Sequence, residues 1–264
     1  MVSTTELTSL SQLPDYDAWI KDAKTAWDNT SFTENKVDAT TRSIGLKEPI
    51  QYGVANLKLT VRCANGSLKD NASAILGDGT EDATITVNEN TFTLKGVLVG
   101  GQPSAAGWDF NPSTGATFDR VIYDKKMNVD KNGAFKVPVS QTVPQQCNYT
   151  LVLDNNKAEQ QDETVYVTLE LVNNGGEFYG QNGLIPAGGT FYLVGALKLG
   201  EGTDKGTDIT HIFTQDHTTI ANFSIGSLQK AYNCIPDLRS SQISIGLAVD
   251  LTWQKGIQFD VTIE

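Results

Sequence analysis

Apolar and polar residues alternate with a period of two over most of the chain from about residue 50 onward. In the segment 54–62, Leu57, Leu59 and Val61 alternate with polar residues, which places apolar side chains on one face of a strand. The same alternation returns in five later segments: 91–99, 148–154, 164–172, 190–199 and 241–253. Glycine-containing turns separate these runs and can supply the positive φ that hairpins require. The pattern predicts an all-β protein whose antiparallel sheets each bury one face, as in a sandwich or barrel.

The first 44 residues follow a different pattern. Apolar residues recur there at a spacing of three to four, and Pro14-Asp15 is a suitable helix start, which predicts a helix over about 15–27. Residues 31–48 are polar and aperiodic, which is typical of a linker or an extended arm. We therefore expect residues 1–44 to be a leader, or the remnant of an N-terminal domain, and residues 45–264 to be the β domain. A second, very short helical crossover is predicted within it at 227–233.

The last 22 residues carry the most regular alternation. Apolar residues keep one parity through the run that ends at Trp253, and 254–256 is a predicted turn. The last strand then repeats the pattern with Ile257, Phe259, Val261 and Ile263. Burying four such side chains is worth about 6–12 kcal/mol before the ordering cost is subtracted. This strand is therefore expected to lie against a sheet, either that of its own chain or that of a neighbouring molecule, and these four residues are the candidate edge or strand-exchange residues.

The charge of the chain excludes several classes of partner. Lys and Arg total 20 against 31 Asp and Glu, giving a net charge of −11 and a pI near 4.6, the wrong sign for nucleic acid or an anionic membrane. The sequence contains no run of 18 apolar residues, so it predicts no transmembrane helix. Its first residues do not resemble an export signal. The chain has three cysteines, Cys63, Cys147 and Cys234, which lie far apart in the sequence. Because an odd number cannot all pair, we expect buried thiols or at most one disulfide.

Candidate catalytic and metal-binding groups are sparse. His211 and His217 lie near Asp208 and Asp216, but six residues separate the histidines, and a strand with its exit turn does not bring both rings to one point. The acidic segments 77–82 and 130–133 lack the register of a calcium loop, and no G-x-S-x-G motif is present. We therefore expect no enzyme activity, no bound metal and no cofactor.

Two aromatic residues support an alternative from another functional class. Trp108 and Tyr179 are candidates for stacking on sugar rings, which would make the chain a surface glycan-binding β-sandwich module. Aromatic residues in sandwiches more often belong to the core, so a buried Trp108 would argue against this alternative.

Four long segments resemble a known family: 94–112, 148–156, 165–197 and 209–263. The most specific parts are FTQD at 213–216, IPDLR at 235–239 and VDLTW at 249–253. They are similar to the C-terminal domain of fimbrillin-type pilins of Bacteroidetes, the subunits of type V pili. The resemblance implies a transthyretin-like antiparallel β-sandwich of Greek-key type, exported as a lipoprotein and assembled into fimbriae at the outer membrane.

The resemblance also implies a function. Its members are structural or adhesive subunits that polymerise by β-strand addition, after a protease removes an N-terminal strand. The implied partners are other pilin subunits, together with host or bacterial surface ligands. Arg42 lies in the polar arm before the first strand and is the speculative processing site.

Overall fold

The computed structural model describes residues 52–79, 83–125, 135–140, 148–156, 164–199, 209–240 and 242–257. All strands in these ranges belong to one compact unit, Val54–Glu264. The predicted leader, its helix over 15–27, the boundary at 44/45 and Arg42 lie outside the described residues.

Strands dominate the described part of the chain, and one short helix accompanies them. The strands are β1 (Ala55–Cys63), β2 (Ser67–Lys69), β3 (Thr84–Thr86), β4 (Phe92–Gln102), β5 (Arg120–Asp124), β6 (Phe135–Lys136), β7 (Asn148–Val152), β8 (Thr164–Asn173), β9 (Phe178–Gly180), β10 (Gly183–Ile185), β11 (Thr190–Lys198), β12 (His217–Ile225) and β13 (Leu247–Lys255). The helix, α1, spans Ala72–Leu76 and ends at Gly77, whose φ of 67° suits a residue without a Cβ.

Two sheets form the body of the protein. The first sheet has the strand order β13-β12-β1-β7, and the second has the order β11-β8-β4-β5, with β6 also paired to β4. Two hairpin-like pairs, β2 with β3 and β9 with β10, complete the arrangement. The inward side chains of both sheets form one hydrophobic core, so the predicted all-β sandwich is confirmed.

One strand pair departs from the predicted antiparallel arrangement. Strands β1 and β12 run parallel, in register from Asn56 opposite Thr218 to Cys63 opposite Ile225. Strand β12 was not among the segments predicted from alternation. Its inward positions begin with Thr219 and Ala221, which contribute little to an apolar pattern although both are fully buried. A parallel pair also requires a long connection, and nothing in local turn chemistry indicates which distant strands such a connection joins.

Three phenylalanines form the centre of one part of the core. The rings of Phe92, Phe178 and Phe191 are all fully buried and meet edge to face. Their centroids are 5.1–6.3 Å apart, the range in which the positive edge of one ring contacts the negative face of the next. These residues belong to β4, β9 and β11, so the cluster joins the β9–β10 hairpin to the second sheet.

The second sheet is covered on both faces. Its outer face carries a smaller cluster that the segment before β13 completes: Leu98, Tyr166, Tyr192, Val194, Tyr232, Leu238 and Ile243. Tyr192 and Tyr232 exchange both backbone hydrogen bonds at 2.9 Å, and the Gly246 N–H donates to the Val194 carbonyl. The covering segment is irregular: 227–233 contains a turn rather than the predicted helix, and the strand predicted from residue 241 begins at Leu247.

The two sides of the sandwich are closed differently. On one side the Thr150 hydroxyl of β7 donates to the Asp124 carboxylate of β5 at 2.9 Å, which links the sheets by a polar contact. On the other side β11 approaches β12 and β13 closely. A Cβ on Gly195 would lie 2.6 Å from the Phe223 ring and 3.0 Å from Val249, so this approach requires glycine.

A buried carboxylate anchors β5 to the second sheet. Glu170 of β8 is buried and accepts a hydrogen bond from the Tyr123 hydroxyl. This bond, together with desolvation and the charge of Glu170, raises the pKa of Tyr123 to about 12. Burial, and then the nearby Glu170 charge, also raises the pKa of Tyr192. Both tyrosines therefore stay protonated, and Tyr123 keeps its donor bond to Glu170, at any physiological pH.

Candidate functional site

The outer edge of β13 is the first feature with functional potential. The Gly256 N–H donates to the Asp216 carbonyl at 2.6 Å, and residues 216 and 256 are directly opposite in the register that pairs His217 with Lys255. Opposite residues in antiparallel strands alternate between bonded and non-bonded pairs. The even-numbered residues of β13 therefore direct their N–H and C=O groups to β12, and the odd-numbered residues direct theirs outward.

An independent bond gives the same direction. The Ala64 N–H donates to the Ile225 carbonyl across the parallel pair, which assigns the odd-numbered groups of β12 to β1 and the even-numbered groups to β13. The outward backbone groups of β13 then belong to Leu247, Val249, Leu251, Trp253 and Lys255. Within the described ranges, no strand pairs with this edge.

The C-terminal candidates are only partly described. Gln254 and Lys255, which were predicted to turn, lie in β13 opposite Thr218 and His217. The chain bends at Gly256, whose φ is 83°, and its carbonyl accepts a bond from the Thr218 hydroxyl. Ile257 is 7% exposed and therefore buried within its own chain. Phe259, Val261 and Ile263 lie outside the described residues.

A buried polar cluster lies at the end of the sandwich where β12 begins. The Asp154 carboxylate is 3.1 Å from Nε2 of His211, and it accepts backbone N–H bonds from Gln215 and Asn156 at 2.9 and 2.8 Å. Both Asp154 and His211 are buried. The fully buried Asn155 donates its backbone N–H to the Phe213 carbonyl, and its side-chain oxygen accepts a bond from the Phe213 N–H. This network fastens the segment after β7 to the segment before β12.

The cluster also corrects the sequence interpretation of the two histidines. The segment 211–216 is an irregular loop and not a strand, and β12 begins at His217. His211 faces Asp154, whereas Nδ1 of His217 contacts the Gln215 carbonyl at 2.7 Å. No group of three or more metal-ligating side chains was found among the described residues. The described structure thus gives both histidines hydrogen-bonding partners within the loop network.

A hairpin between β4 and β5 projects from this same end. Gly107 N–H donates to the Asn111 carbonyl at 2.8 Å, and Phe110 N–H donates to the Gly107 carbonyl at 3.0 Å. These bonds define a three-residue hairpin loop of Trp108, Asp109 and Phe110. We call residues 106–112 the aromatic hairpin.

The aromatic hairpin is held firmly. The Asp109 carboxylate accepts bonds from the backbone and the side chain of Asn111, which lowers the pKa of Asp109 and keeps it ionised. Nε2 of Gln215 donates to the Asp109 carbonyl at 2.8 Å. Because the Gln215 backbone is bonded to Asp154, the buried cluster supports the hairpin through one residue. No sequence pattern indicated this support, since Asp109, Asp154 and Gln215 are far apart along the chain.

Two large aromatic side chains at the tip face solvent. Trp108 is 68% exposed, the largest value among the exposed large hydrophobic residues of the described structure, and Phe110 is 40% exposed. Phe110 has a φ of 63°, the left-handed position that this loop type normally gives to glycine or asparagine. Such a conformation costs a bulky residue about 1–2 kcal/mol. The chain therefore bears strain at a position where glycine would relieve it, and it carries there a second exposed ring, two residues after Trp108.

Tyr179 lies at the other end of the sandwich. It is half-buried in β9, and its N–H donates to the Asp70 carboxylate. Lys69, next to Asp70, accepts a backbone bond from Leu228, which follows the end of β12, whereas Gln215 precedes the start of β12. The nine residues of β12 separate the two ends by about 27 Å at about 3.3 Å per residue. The structure therefore does not bring Trp108 and Tyr179 together into one platform.

The described cysteines are both thiols. Cys63 is buried, and desolvation raises the pKa of its thiol to about 12, which makes it unreactive in the folded protein. Cys234 is exposed and accepts a weak bond from the Asn182 amide at 3.3 Å. Cys147 lies outside the described residues.

The fold and these sites define a class: an all-β sandwich whose edge strand β13 has no partner strand among the described residues and whose hydrogen-bonded aromatic hairpin faces solvent. No helix in the described ranges has the length and apolar character needed to cross a membrane.

Comparison with known proteins gives limited further information. No protein-family model matches the sequence, and no curated protein matches it. A crystal structure of a candidate cell adhesion protein from Bacteroides eggerthii is similar over 78% of this chain, with 11% identity and a TM-score of 0.35. The chain spans 57% of the length of that protein. A similarity this low does not transfer a role, and the resemblance to fimbrillin-type pilins stays a prediction.

Proposed function

We propose that this chain is a structural and adhesive subunit of cell-surface fimbriae, of the type V kind that its sequence resembles, and that it assembles by β-strand addition between subunits. The observation that supports the proposal is the outer edge of β13, where five residues direct backbone groups away from the sheet. The proposal includes export to the cell surface as a lipoprotein, other pilin subunits as partners, and no catalytic step.

The edge is well suited to strand addition. It is nine residues long, contains no proline and shows no register shift against β12, so two of the devices that protect edge strands, a proline and a β-bulge, are absent from β13. An added strand would form main-chain bonds with alternate residues of β13. Its apolar side chains would extend the inner face formed by Leu247, Val249 and Leu251.

The segment 258–263 of a neighbouring subunit has the matching chemistry. Its alternate residues are apolar, and the residues between them are the polar Gln258, Asp260 and Thr262. One parity would enter the core side and the other would face water, as strand addition requires. The same pattern would also suit pairing within one chain, so the two arrangements must be separated by experiment.

Deletion of residues 258–264 separates them. If the segment is donated to a neighbour, the truncated protein should keep its circular dichroism spectrum and remain monomeric in size-exclusion chromatography under conditions in which the full chain forms oligomers. Unfolding or aggregation of the truncated monomer would show that the segment pairs within its own chain. A folded truncated protein with unchanged assembly would refute both roles.

A matched pair of variants controls for the deletion. Phe259→Ser with Val261→Ser changes the apolar parity, whereas Gln258→Ser with Thr262→Ser changes the polar parity of the same segment. Only the first pair should prevent assembly. Equal effects of the two pairs would contradict parity-specific insertion.

The processing step has its own test. Mild trypsin digestion should cut at Arg42 and increase oligomer formation by the full chain. A digest in which Arg42 is never cut would remove this site from the proposal.

A further inference from the structure

We propose that the aromatic hairpin is a binding site for a neutral glycan chain, in which a sugar ring stacks on Trp108 beside Phe110 and its hydroxyl groups donate to Asp109. The hairpin connects β4 to β5, two strands of the second sheet, whereas β13, the proposed assembly edge, belongs to the first sheet. The two sites approach each other at one end of the sandwich, where Gln215 donates to the Asp109 carbonyl and the next residue, Asp216, accepts a bond from Gly256.

The first argument is presentation. Exposed apolar side chains in most proteins are scattered singly, whereas Trp108 and Phe110 occupy one closed three-residue loop. The arms of the loop are bonded as well: Ser113 N–H donates to Ala105, and Ser104 and Thr117 exchange bonds at 2.7 and 3.0 Å. A preorganised site loses little conformational entropy when a ligand binds.

The second argument is the residue at the strained position. Glycine or asparagine satisfies the left-handed φ of 63° at lower cost than phenylalanine does. Strain held by surrounding hydrogen bonds, as it is here by Gln215 and Asn111, is a feature of ligand sites.

The third argument concerns the kind of ligand. The C–H face of a sugar ring is apolar enough to stack on an indole, while its hydroxyl groups need polar partners at the rim. Asp109 lies between the two aromatic residues, and each of its oxygens accepts one bond from Asn111, which leaves lone pairs free for further donors. The hairpin therefore combines a stacking surface with adjacent hydrogen-bond acceptors.

Charge selects among glycans. The ionised Asp109 and a net charge of −11 both oppose sialylated, uronic-acid or sulfated chains, and they equally oppose an anionic lipid surface. Sites that bind an ammonium group typically enclose it with several aromatic rings, whereas Trp108 is largely open to solvent. A neutral glycan fits these observations best.

The test uses the full chain on a glycan array that holds neutral gluco-, galacto- and manno-oligosaccharides together with sialylated and sulfated ones. The strongest neutral hit is then titrated by isothermal calorimetry. Trp108→Ala should weaken its binding at least about tenfold. Phe110→Gly should weaken binding while leaving the melting temperature equal or higher, because it relieves the positive φ.

Control variants and alternative ligands make the result decisive. Leu76→Ala, which changes an exposed apolar residue at the opposite end, and Tyr179→Ala should bind as the wild type does. The proposal is overturned if no neutral glycan binds, or if Trp108→Ala binds unchanged. It is also overturned if binding depends on Tyr179, or if the wild type prefers sulfated glycans, phosphatidylglycerol vesicles or a lysine-rich peptide. Loss of assembly in the truncated chain with retained glycan binding would show that the two proposals stand separately.

Discussion

The direction of the backbone groups in β13 can be tested with two proline substitutions at neighbouring positions. Gln254 and Lys255 both have exposed side chains, so neither substitution removes core packing. The register directs the N–H of Gln254 to β12, opposite Thr218, and the N–H of Lys255 to the outer edge. Proline lacks an N–H, so the two variants differ in whether the lost donor had a partner.

The expected magnitudes differ accordingly. In Gln254→Pro a ladder bond is lost and the carbonyl of Thr218, a buried residue, is left unsatisfied, at a cost of about 1–3 kcal/mol. Crowding of the proline ring against β12 adds to this, and we expect a total of about 3 kcal/mol. Lys255→Pro should change the free energy of unfolding by about 0.5 kcal/mol or less, as for other tolerated surface changes.

Urea unfolding followed by tryptophan fluorescence measures both values, and thermal melts should show a drop of about 6–12 °C for Gln254→Pro alone. Equal destabilisation by the two variants would mean that the outward N–H of Lys255 has a partner within the monomer. That result would refute the open edge on which the proposed assembly rests.

Three further outcomes follow from the structure. Asp154→Asn should cost roughly 2–4 kcal/mol in urea unfolding, because the buried carboxylate accepts two backbone bonds and contacts His211, whereas Asp237→Asn, at an exposed pair with Arg239, should leave the unfolding curve unchanged. Gly180→Ala should cost about 1–3 kcal/mol, since its Cβ would clash with the Ala231 carbonyl oxygen. Gly176→Ala meets open space and should cost much less, and equal losses from the two variants would contradict the close approach at Gly180. At pH 8, iodoacetamide should label Cys234 and not Cys63, as peptide mass mapping will show, and labelling of Cys63 in the folded state would contradict its burial. The raised pKa of Cys63, about 12, also predicts that the free energy of unfolding falls as the pH rises above about 8.5, because only the thiol of the unfolded chain ionises there.

Assembly and ligand binding would use different parts of the molecule. The assembly edge is a property of the backbone of β13, whereas the aromatic hairpin is a property of side chains at the tip of the β4–β5 connection. Repetition of a weak site along a polymer raises its avidity without any new contact. This arrangement would let a fimbrial subunit combine modest affinity for single sugars with firm attachment of the cell.

The support of the hairpin shows why the candidate site could be predicted only in part. Trp108 was identified from the sequence as a candidate, and its side chain is exposed in the structure; its role in glycan binding stays a prediction. Phe110 was not identified, because its importance depends on a φ of 63° that a Gly107-to-Asn111 loop imposes. Tyr179 was a separate candidate, chosen only because it is aromatic, and in the structure the length of β12 separates it from Trp108.

Local chemistry along the chain determined that this protein is built of strands, and it located six of them. The bounds agree to within a few residues, except that the last of the six, predicted from residue 241, begins at Leu247. Alternation is a property of neighbouring residues, so a sequence displays it directly. The parallel pairing of β1 with β12, the covered outer face of the second sheet and the Asp154–Gln215–Asp109 connection were decided only by tertiary structure. Each joins residues far apart in the chain, and their contact depends on how the whole core packs, which no local pattern encodes.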